Sequence, residues 1–150
     1  MSQAAIRVLF VCTGNSARSI MAEALLRQQG GAAFEVYSAG TEPRGVKPLT
    51  IRTLEAAGLD ASSARSKSVR EFLGQPFDYV ITVCDEARQA CPVFPGVHET
   101  LHWGYEDPAA VEGTEEQCLA AFRSTLTMMS GRIQSFITLA LRDRVAASAG

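Results

Sequence analysis

The chain has 150 residues, of which 47% are hydrophobic and 20% charged, and its formal net charge is −2. This length and composition fit one soluble globular domain over residues 1–150, with a flexible tail from about residue 145. Scattered Lys and Arg argue against nucleic acid or anionic membranes as partners, and no apolar stretch reaches the ~20 residues that span a bilayer. Because the N-terminus also lacks a signal-peptide pattern, we expect a cytoplasmic protein. We further expect a monomer.

Strand-like and helix-like segments alternate along the whole chain. In chain order we predict a strand at 7–12, a helix at 19–29, a strand at 34–40, a helix at 47–58, a short helix at 68–74, strands at 77–84 and 99–104, and a long helix at 115–144. Such alternation implies parallel strands joined by right-handed crossovers. The predicted fold class is therefore α/β, a three-layer sandwich with a four-stranded parallel sheet.

A thiol and a guanidinium flank the short loop after the first predicted strand. Cys12 ends the strand, residues 13–17 are small or polar, and Arg18 precedes the helix. Successive amides in such a turn and the positive end of a helix dipole bind anions and stabilise a thiolate, so we predict that Cys12 is a nucleophile. The planar fork of Arg18 can hold two oxygens of a tetrahedral oxyanion. The predicted oxyanion-binding residues are Thr13, Gly14, Asn15, Ser16, Ala17, Arg18 and Ser19, of which Ser19 could also donate a hydrogen bond to the Cys12 sulfur.

Two more reactive residues are expected at the same edge of the sheet. Cys84 ends the third predicted strand, and Asp107 follows the fourth. Ligands of a parallel sheet bind beyond the carboxyl ends of its strands, so these side chains are predicted to meet Cys12 there. Asp107 could protonate a leaving oxygen as a general acid. The alternative is that it is only a turn residue before Pro108.

The cysteines stand at positions 12, 84, 91 and 118. In a reducing compartment they are expected to be reduced, catalytic or redox-active rather than a permanent disulfide frame. No Cys or His spacing typical of a metal site is present, and we predict no metal. Cys118 is followed by Phe122 and Met129 at helical spacing, which predicts that Cys118 packs into the core.

Four segments of the sequence together resemble a known family: VCTGNSARSIMAEALL, VYSAGTEPRGVKP, VITVCDEARQACPVFPG and HWGYEDPA. They are similar to the low-molecular-weight tyrosine phosphatase superfamily, and within it to the thioredoxin-coupled arsenate reductases. The resemblance implies a flavodoxin-like fold, with Cys12 as nucleophile, Arg18 as oxyanion clamp and Asp107 as general acid. Many relatives carry a further Cys where this chain has Ala17.

The resemblance also implies a reaction, the reduction of arsenate to arsenite in arsenic detoxification. Arsenate has the shape of phosphate, but its reduction requires two electrons. A second thiol that attacks the adduct between Cys12 and arsenic would supply them and leave a disulfide. We assign this attack to Cys84 and the transfer of the bond towards the surface to Cys91. No cofactor is expected to be bound, since the electrons would come from thioredoxin or a small thiol.

Relatives that bind potassium near the loop use an Asn, a Glu, a Ser and an Asp. Asn15, Glu23 and Ser38 match the first three, but Lys67 occupies the Asp position. Two cations in one small site would repel each other, so we predict that the Lys67 ammonium replaces the ion.

Two other functions compete with the reductase. A low-molecular-weight protein tyrosine phosphatase would need only the loop and the acid, and its turnover would survive loss of Cys84 and Cys91. A non-catalytic protein that captures arsenite or senses redox state would bind stoichiometrically without turnover. Weak phosphatase activity fits the reductase too, because the oxyanion pocket is shared.

Overall fold

The computed structural model describes residues 4–97 and 99–149. The strands are β1 (Ile6–Cys12), β2 (Phe34–Gly40), β3 (Tyr79–Thr82) and β4 (Glu99–His102). The α-helices are α1 (Arg18–Gly30), α2 (Pro48–Ala56), α3 (Asp85–Ala90) and α4 (Glu115–Ala149). Three short 3₁₀ turns cover Gly31–Ala33, Val69–Phe72 and Pro108–Ala110.

The sheet is parallel throughout, with the strand order β2-β1-β3-β4. Strand β1 lies at its centre and pairs with β2 along its full length, from Ile6 opposite Phe34 to Cys12 opposite Gly40. A strand in this position is buried on both faces, which explains its continuous apolar run. The predicted fold class, the number of strands and their parallel arrangement are confirmed.

The core lies on both faces of this sheet. On one face, Phe136 of α4 packs against Tyr79 and Trp103, and Trp103 also contacts Phe10 of β1. On the other face, Phe77 packs edge-on against neighbouring rings. Those rings are Tyr37, Phe72 and Phe94. Burial on both faces fixes the register of β1 and, with it, the position at which Cys12 emerges from the sheet.

Several predicted boundaries require correction. Strand β3 ends at Thr82, so Cys84 lies two residues beyond the strand, directly before α3. The predicted helix at 68–74 is a 3₁₀ turn, and the fourth strand ends at His102. Helix α4 continues to Ala149, five residues beyond the predicted helix end at residue 144. Residues 145–149 are rich in Ala, which has the highest helix propensity of all residues and extends the last turns.

Gly40 positions the loop that follows β1. A Cβ atom at this residue would lie 2.5 Å from the Thr13 carbonyl oxygen and 3.0 Å from the Asn15 amide nitrogen. Both contacts are with backbone atoms, which cannot swing aside as a flexible side chain can. The end of β2 therefore approaches the loop more closely than any other residue type would allow.

Within the described part of the chain, every helix is too short or too polar to cross a lipid bilayer.

Candidate active site

The Cys12 sulfur lies buried at the carboxyl end of β1, in contact with the loop that follows. The Asn15 backbone amide donates a hydrogen bond to Cys12 Sγ over 3.2 Å, and Ser19 Oγ lies 2.9 Å from the same sulfur. The side chain of Cys12 is only 2% exposed. These two contacts hold the Cys12 sulfur in one position within the loop.

The Asn15 side chain holds the loop in shape from inside. Asn15 adopts a positive φ of 46°, a region that Asn enters more readily than most residues. Its Nδ2 donates to Ser19 Oγ (2.7 Å) and to Ser38 Oγ (3.0 Å), and its Oδ1 accepts from the Lys67 backbone amide (2.8 Å). Because Asn15 is fully buried, each of these bonds is shielded from competing water.

The loop is also fastened along its backbone to the segment that follows β2. Carbonyl oxygens of the loop accept hydrogen bonds from backbone amides of residues 41–47 at 2.8–3.1 Å. The donor and acceptor pairs are Thr41 to Cys12, Glu42 to Thr13, Arg44 to Gly14 and Lys47 to Ser16. The loop therefore has a fixed shape before any ligand binds.

A small polar cavity of about 200 Å³ opens over this loop. Its lining residues are Cys12, Thr13, Gly14, Ser16, Ala17, Arg18, Arg44, Lys47, Glu86, Asp107 and Ala109. No aromatic side chain stands among them. The cavity thus joins the Cys12 loop to three cationic side chains and two carboxylates. That volume and charge suit a tetrahedral inorganic oxyanion.

Arg18 and Asp107 meet at this cavity, which Cys12 also lines. The Arg18 guanidinium donates to the Tyr105 carbonyl over 2.9 Å, and its Nη2 lies 3.8 Å from Asp107 Oδ2. The other Asp107 oxygen, Oδ1, accepts from the Ala109 amide at 2.9 Å. Asp107 therefore lies in a turn and also lines the cavity, and its role as a general acid stays a prediction.

Cys84 lies behind the same loop. Thr13 Oγ1 is 3.3 Å from Cys84 Sγ and donates to Glu86 Oε2 at 3.3 Å. Cys84 is buried, with 3% of its surface exposed. A single loop residue, Thr13, thus connects the second thiol to the cavity in which Cys12 lies.

Cys91 stands apart from the cavity over the Cys12 loop. It follows the last residue of α3, and its backbone amide donates to the Ala87 carbonyl. The thiol lines a different cavity of about 340 Å³, together with Phe94 and His102. Burial raises the pKa of Cys91 from 9.0 to about 11. In this conformation Cys91 is therefore a protonated thiol, separated from Cys84 by the whole of α3.

Lys67 reaches the carboxylate that the sequence pattern associates with a cation. Its Nζ donates to the Arg65 carbonyl (2.7 Å) and lies 3.9 Å from Glu23 Oε1, an oxygen that also accepts from Ser38 Oγ (2.5 Å). Arg27 donates to the other Glu23 oxygen at 2.6 Å. Burial lowers the pKa of Lys67, and the nearby Glu23 carboxylate partly offsets that effect.

The sequence analysis missed four cavity residues, of which three are charged: Arg44, Lys47 and Glu86. Arg44 and Lys47 lie within VYSAGTEPRGVKP and Glu86 within VITVCDEARQACPVFPG, yet nothing local marks their side chains as turned towards Cys12. Cys118, in contrast, was wrongly assigned to the core. It is half-buried in the first turn of α4, where its thiol contacts the Val111 carbonyl at 3.4 Å.

All four cysteines are free thiols in this structure. Among the described residues, no group of three or more His, Cys, Asp or Glu side chains is arranged to hold a metal ion.

Comparisons with known proteins agree with this geometry. Residues 7–146 match the family described as low molecular weight phosphotyrosine protein phosphatase. An arsenate reductase of Halalkalibacterium halodurans is 40% identical over 129 residues, which cover 86% of this chain and 93% of that protein. A solved arsenate reductase in a phosphate-binding state superposes with a TM-score of 0.73 at 30% identity, covering 89% of this chain and 97% of the other. The thioredoxin-dependent arsenate reductase of Corynebacterium glutamicum has a TM-score of 0.72 at 30% identity, covering 93% of this chain and 65% of that one.

Proposed function

The chain belongs to the low molecular weight phosphotyrosine protein phosphatase family, and we propose that within this family it acts as a thioredoxin-coupled arsenate reductase. The observation that carries the proposal is the placement of Cys84. Its sulfur lies 3.3 Å from Thr13 Oγ1 in the nucleophile loop, and a short helix links it to a third thiol, Cys91. A phosphatase has no use for this second pair of thiols.

The first step forms a bond between Cys12 and arsenic. Arsenate enters the cavity of about 200 Å³, where Arg18 binds two of its oxygens. Cys12 attacks arsenic as the thiolate, and a hydroxyl group of arsenate must depart. Asp107, 3.8 Å from Arg18, protonates that oxygen so that it leaves as water.

The second and third steps move electrons and then the disulfide. Cys84 attacks the Cys12 sulfur, the sulfur–arsenic bond breaks, and its electron pair stays on arsenic as arsenite leaves. Cys91 then attacks Cys84, which frees Cys12 and leaves a disulfide between Cys84 and Cys91. Thioredoxin reduces this last bond and completes the cycle.

Transfer of the disulfide requires α3 to change shape. The seven-residue step from Cys84 to Cys91 spans about 10 Å along a helix axis at 1.5 Å per residue. A disulfide requires Cα atoms within ~4.4–6.8 Å, so residues 85–90 must unwind or loop out. Only Ala87 of α3 is buried, so little apolar contact opposes that change. It also exposes the bond to thioredoxin, and chemistry in the site thereby becomes a change of shape.

The test is a coupled assay of arsenate reduction with thioredoxin, thioredoxin reductase and NADPH. We expect the parent to turn over, while Cys91→Ser completes one turnover and stops with a disulfide between Cys12 and Cys84. Cys84→Ser should stop earlier. The matched control is Cys118→Ser, which removes a thiol that lines neither the cavity over the Cys12 loop nor the one at Cys91 and should turn over like the parent.

The same assay separates the alternatives. The phosphatase, favoured by the family match and by Asp107, requires that Cys84→Ser and Cys91→Ser cleave p-nitrophenyl phosphate like the parent while no variant reduces arsenate. A redox or arsenite sensor requires stoichiometric arsenite binding without turnover of either substrate. If Cys91→Ser turns over arsenate at the parent rate with small thiols, the relay is wrong.

For the cation position, we propose that the Lys67 ammonium takes the place of a bound potassium ion beside Glu23. The distance of 3.9 Å between the two side chains supports this, since a second cation there would meet direct repulsion. Activity and melting temperature should be the same in potassium and sodium. Lys67→Asp, which restores the residue used by potassium-binding relatives, should make both respond to potassium. A potassium effect on the parent would contradict the proposal.

A further inference from the structure

The attack by Cys84 requires that its thiol lose a proton. Cys84 is buried, so direct transfer of its proton to bulk water is slow. The nearest oxygen with a defined contact is Thr13 Oγ1, at 3.3 Å. A neutral hydroxyl does not hold an extra proton at neutral pH, so a further acceptor is needed.

The hydrogen-bond directions around Thr13 identify that acceptor. Glu86 Oε2 lies 3.3 Å from Thr13 Oγ1, and an ionised carboxylate can only accept a hydrogen bond. Thr13 therefore uses its single hydroxyl proton towards Glu86. Its oxygen is then the acceptor for the Cys84 S–H group. Both contacts are long, as catalytic hydrogen bonds are in unliganded enzymes.

We propose that Glu86 is the terminal proton acceptor for Cys84 and that Thr13 carries the proton between them. The inference rests on the proposed reductase function and deepens it. As Cys84 gives its proton to Thr13 Oγ1, Thr13 gives its own to Glu86. The Cys84 thiolate then attacks the Cys12 sulfur, a disulfide forms, and arsenic takes the electron pair of the broken sulfur–arsenic bond.

The chain of transfers keeps the charge of the site constant. A carboxylate and a thiol become a carboxylic acid and a thiolate, so no net charge appears beside the adduct. Glu86 also lines the cavity that holds the substrate, which lets it return the proton to an arsenite oxygen. The charged side chains that share the cavity with it are Arg18, Arg44, Lys47 and Asp107, and Asp85 and Arg88 flank it on α3.

The neighbouring carboxylate on α3 is turned away and offers a matched control. Asp85 Oδ1 lies 2.9 Å from His102 Nε2, and the other ring nitrogen of His102 lies 2.7 Å from Thr82 Oγ1. Asp85→Asn therefore removes the same charge from the same helix without touching Thr13.

The experiment mixes reduced protein with one equivalent of arsenate, quenches with an alkylating agent and measures the disulfide between Cys12 and Cys84 by mass spectrometry. Its rate is divided by the rate of p-nitrophenyl phosphate cleavage, which needs Cys12 but not Cys84. For Glu86→Gln we expect this ratio to fall about 100-fold at pH 7. It should then rise about tenfold per pH unit, because solvent hydroxide must now remove the thiol proton.

Three further single variants and one double variant sharpen the result. Thr13→Val should lower the ratio equally, and combining it with Glu86→Gln should add nothing, as expected for one chain of transfers. Glu86→Asp should restore part of the rate, and Asp85→Asn should keep the pH dependence of the parent. Loss of a negative charge alone would make Glu86→Gln faster, since it favours the thiolate of Cys84.

The outcomes separate the two proposals. If the parent forms no disulfide with arsenate, the reductase function itself fails. If the parent forms it and Glu86→Gln shows the same ratio and pH dependence, the role of Glu86 is overturned. An equal loss of disulfide formation and phosphoester cleavage also overturns it, because that result places Glu86 in the Cys12 chemistry.

Discussion

The loop after β1 and the helix α3 carry the two ends of the proposed reaction, and they are built in opposite ways. The loop holds Cys12 through buried hydrogen bonds to Asn15 and Ser19 and through backbone bonds to residues 41–47. Helix α3 has six residues and only one buried side chain, Ala87. In the proposed reaction, the nucleophile therefore lies in a fixed frame, whereas the resolving thiols flank a segment with few buried contacts to break.

The largest expected effect comes from substitutions of the reactive residues in the Cys12 loop. Cys12→Ser should lower both arsenate reduction and phosphoester cleavage by at least about 10⁴-fold, because an alcohol in this loop stays protonated and is a poor nucleophile. Arg18→Lys should also be severe, since an ammonium cannot reproduce the bidentate fork. Steady-state assays of both substrates measure this. More than trace activity in Cys12→Ser would remove Cys12 from the proposed role.

A smaller loss of activity is expected from substitution of Asp107, whose carboxylate lies 3.8 Å from the Arg18 guanidinium. Asp107→Asn keeps the shape of the side chain and its contact with the Ala109 amide but removes the transferable proton. We expect phosphoester cleavage and arsenate adduct formation to slow about 100-fold. Asp60→Asn, on the surface away from the cavity, is the matched control and should react like the parent. Equal rates for both variants would leave Asp107 as a turn residue only.

Stability should separate the two regions more directly. Asn15→Ala removes three buried hydrogen bonds and an Asn from a positive φ, so we expect the free energy of unfolding to fall by about 2–4 kcal/mol. Gln89→Ala, on the exposed side of α3, should change it by less than about 0.5 kcal/mol. Urea denaturation of the reduced proteins measures both. Similar losses in the two variants would contradict the contrast.

The smallest expected effect is a pH dependence of the free energy of unfolding, which comes from Cys91, the residue after α3. Burial raises the pKa of Cys91 from 9.0 to about 11, so protonation favours the packed conformation of this thiol. The stabilisation of the folded state by the protonated Cys91 thiol is complete below pH 9 and is lost as the pH rises towards 11. The stability of the parent relative to Cys91→Ala should thus be constant from pH 7 to 9 and fall by no more than about 2 kcal/mol by pH 11. A constant difference across the whole range would contradict an apolar setting for Cys91.

The sequence predicted the Cys12 loop better than the region of α3, for a physical reason. The Cys12 loop joins a strand to a helix along the chain, so its residues lie close together whatever the rest of the molecule does. Strand direction was enough to predict that Cys12 and Asp107 would lie at one edge of the sheet, where they line the same cavity, and that Cys84 would lie near the loop, where it contacts Thr13. Glu86 could not be found in this way, because its position depends on the exact start of α3, and strand β3 ended two residues earlier than predicted.

A similar limit of sequence patterns explains the wrong assignment of Cys118 in α4. Helical spacing placed Cys118 on the packed stripe with Phe122, and Phe122 is indeed fully buried. Cys118, however, lies in the first turn and contacts the Val111 carbonyl rather than the sheet. Periodicity assigns a residue to a face of a helix but does not say how far along the helix the core extends.

Gly40 restricts which residue can stand at one position of this site, for a reason that the chemistry of the site does not reveal. Gly40 carries no functional group, yet the backbone of the Cys12 loop occupies the space where the Cβ atom of any other residue would lie. For the loop to keep this shape, position 40 must stay glycine whatever residues line the cavity. A strict steric restriction at this site thus falls on a residue that takes no part in the proposed reaction.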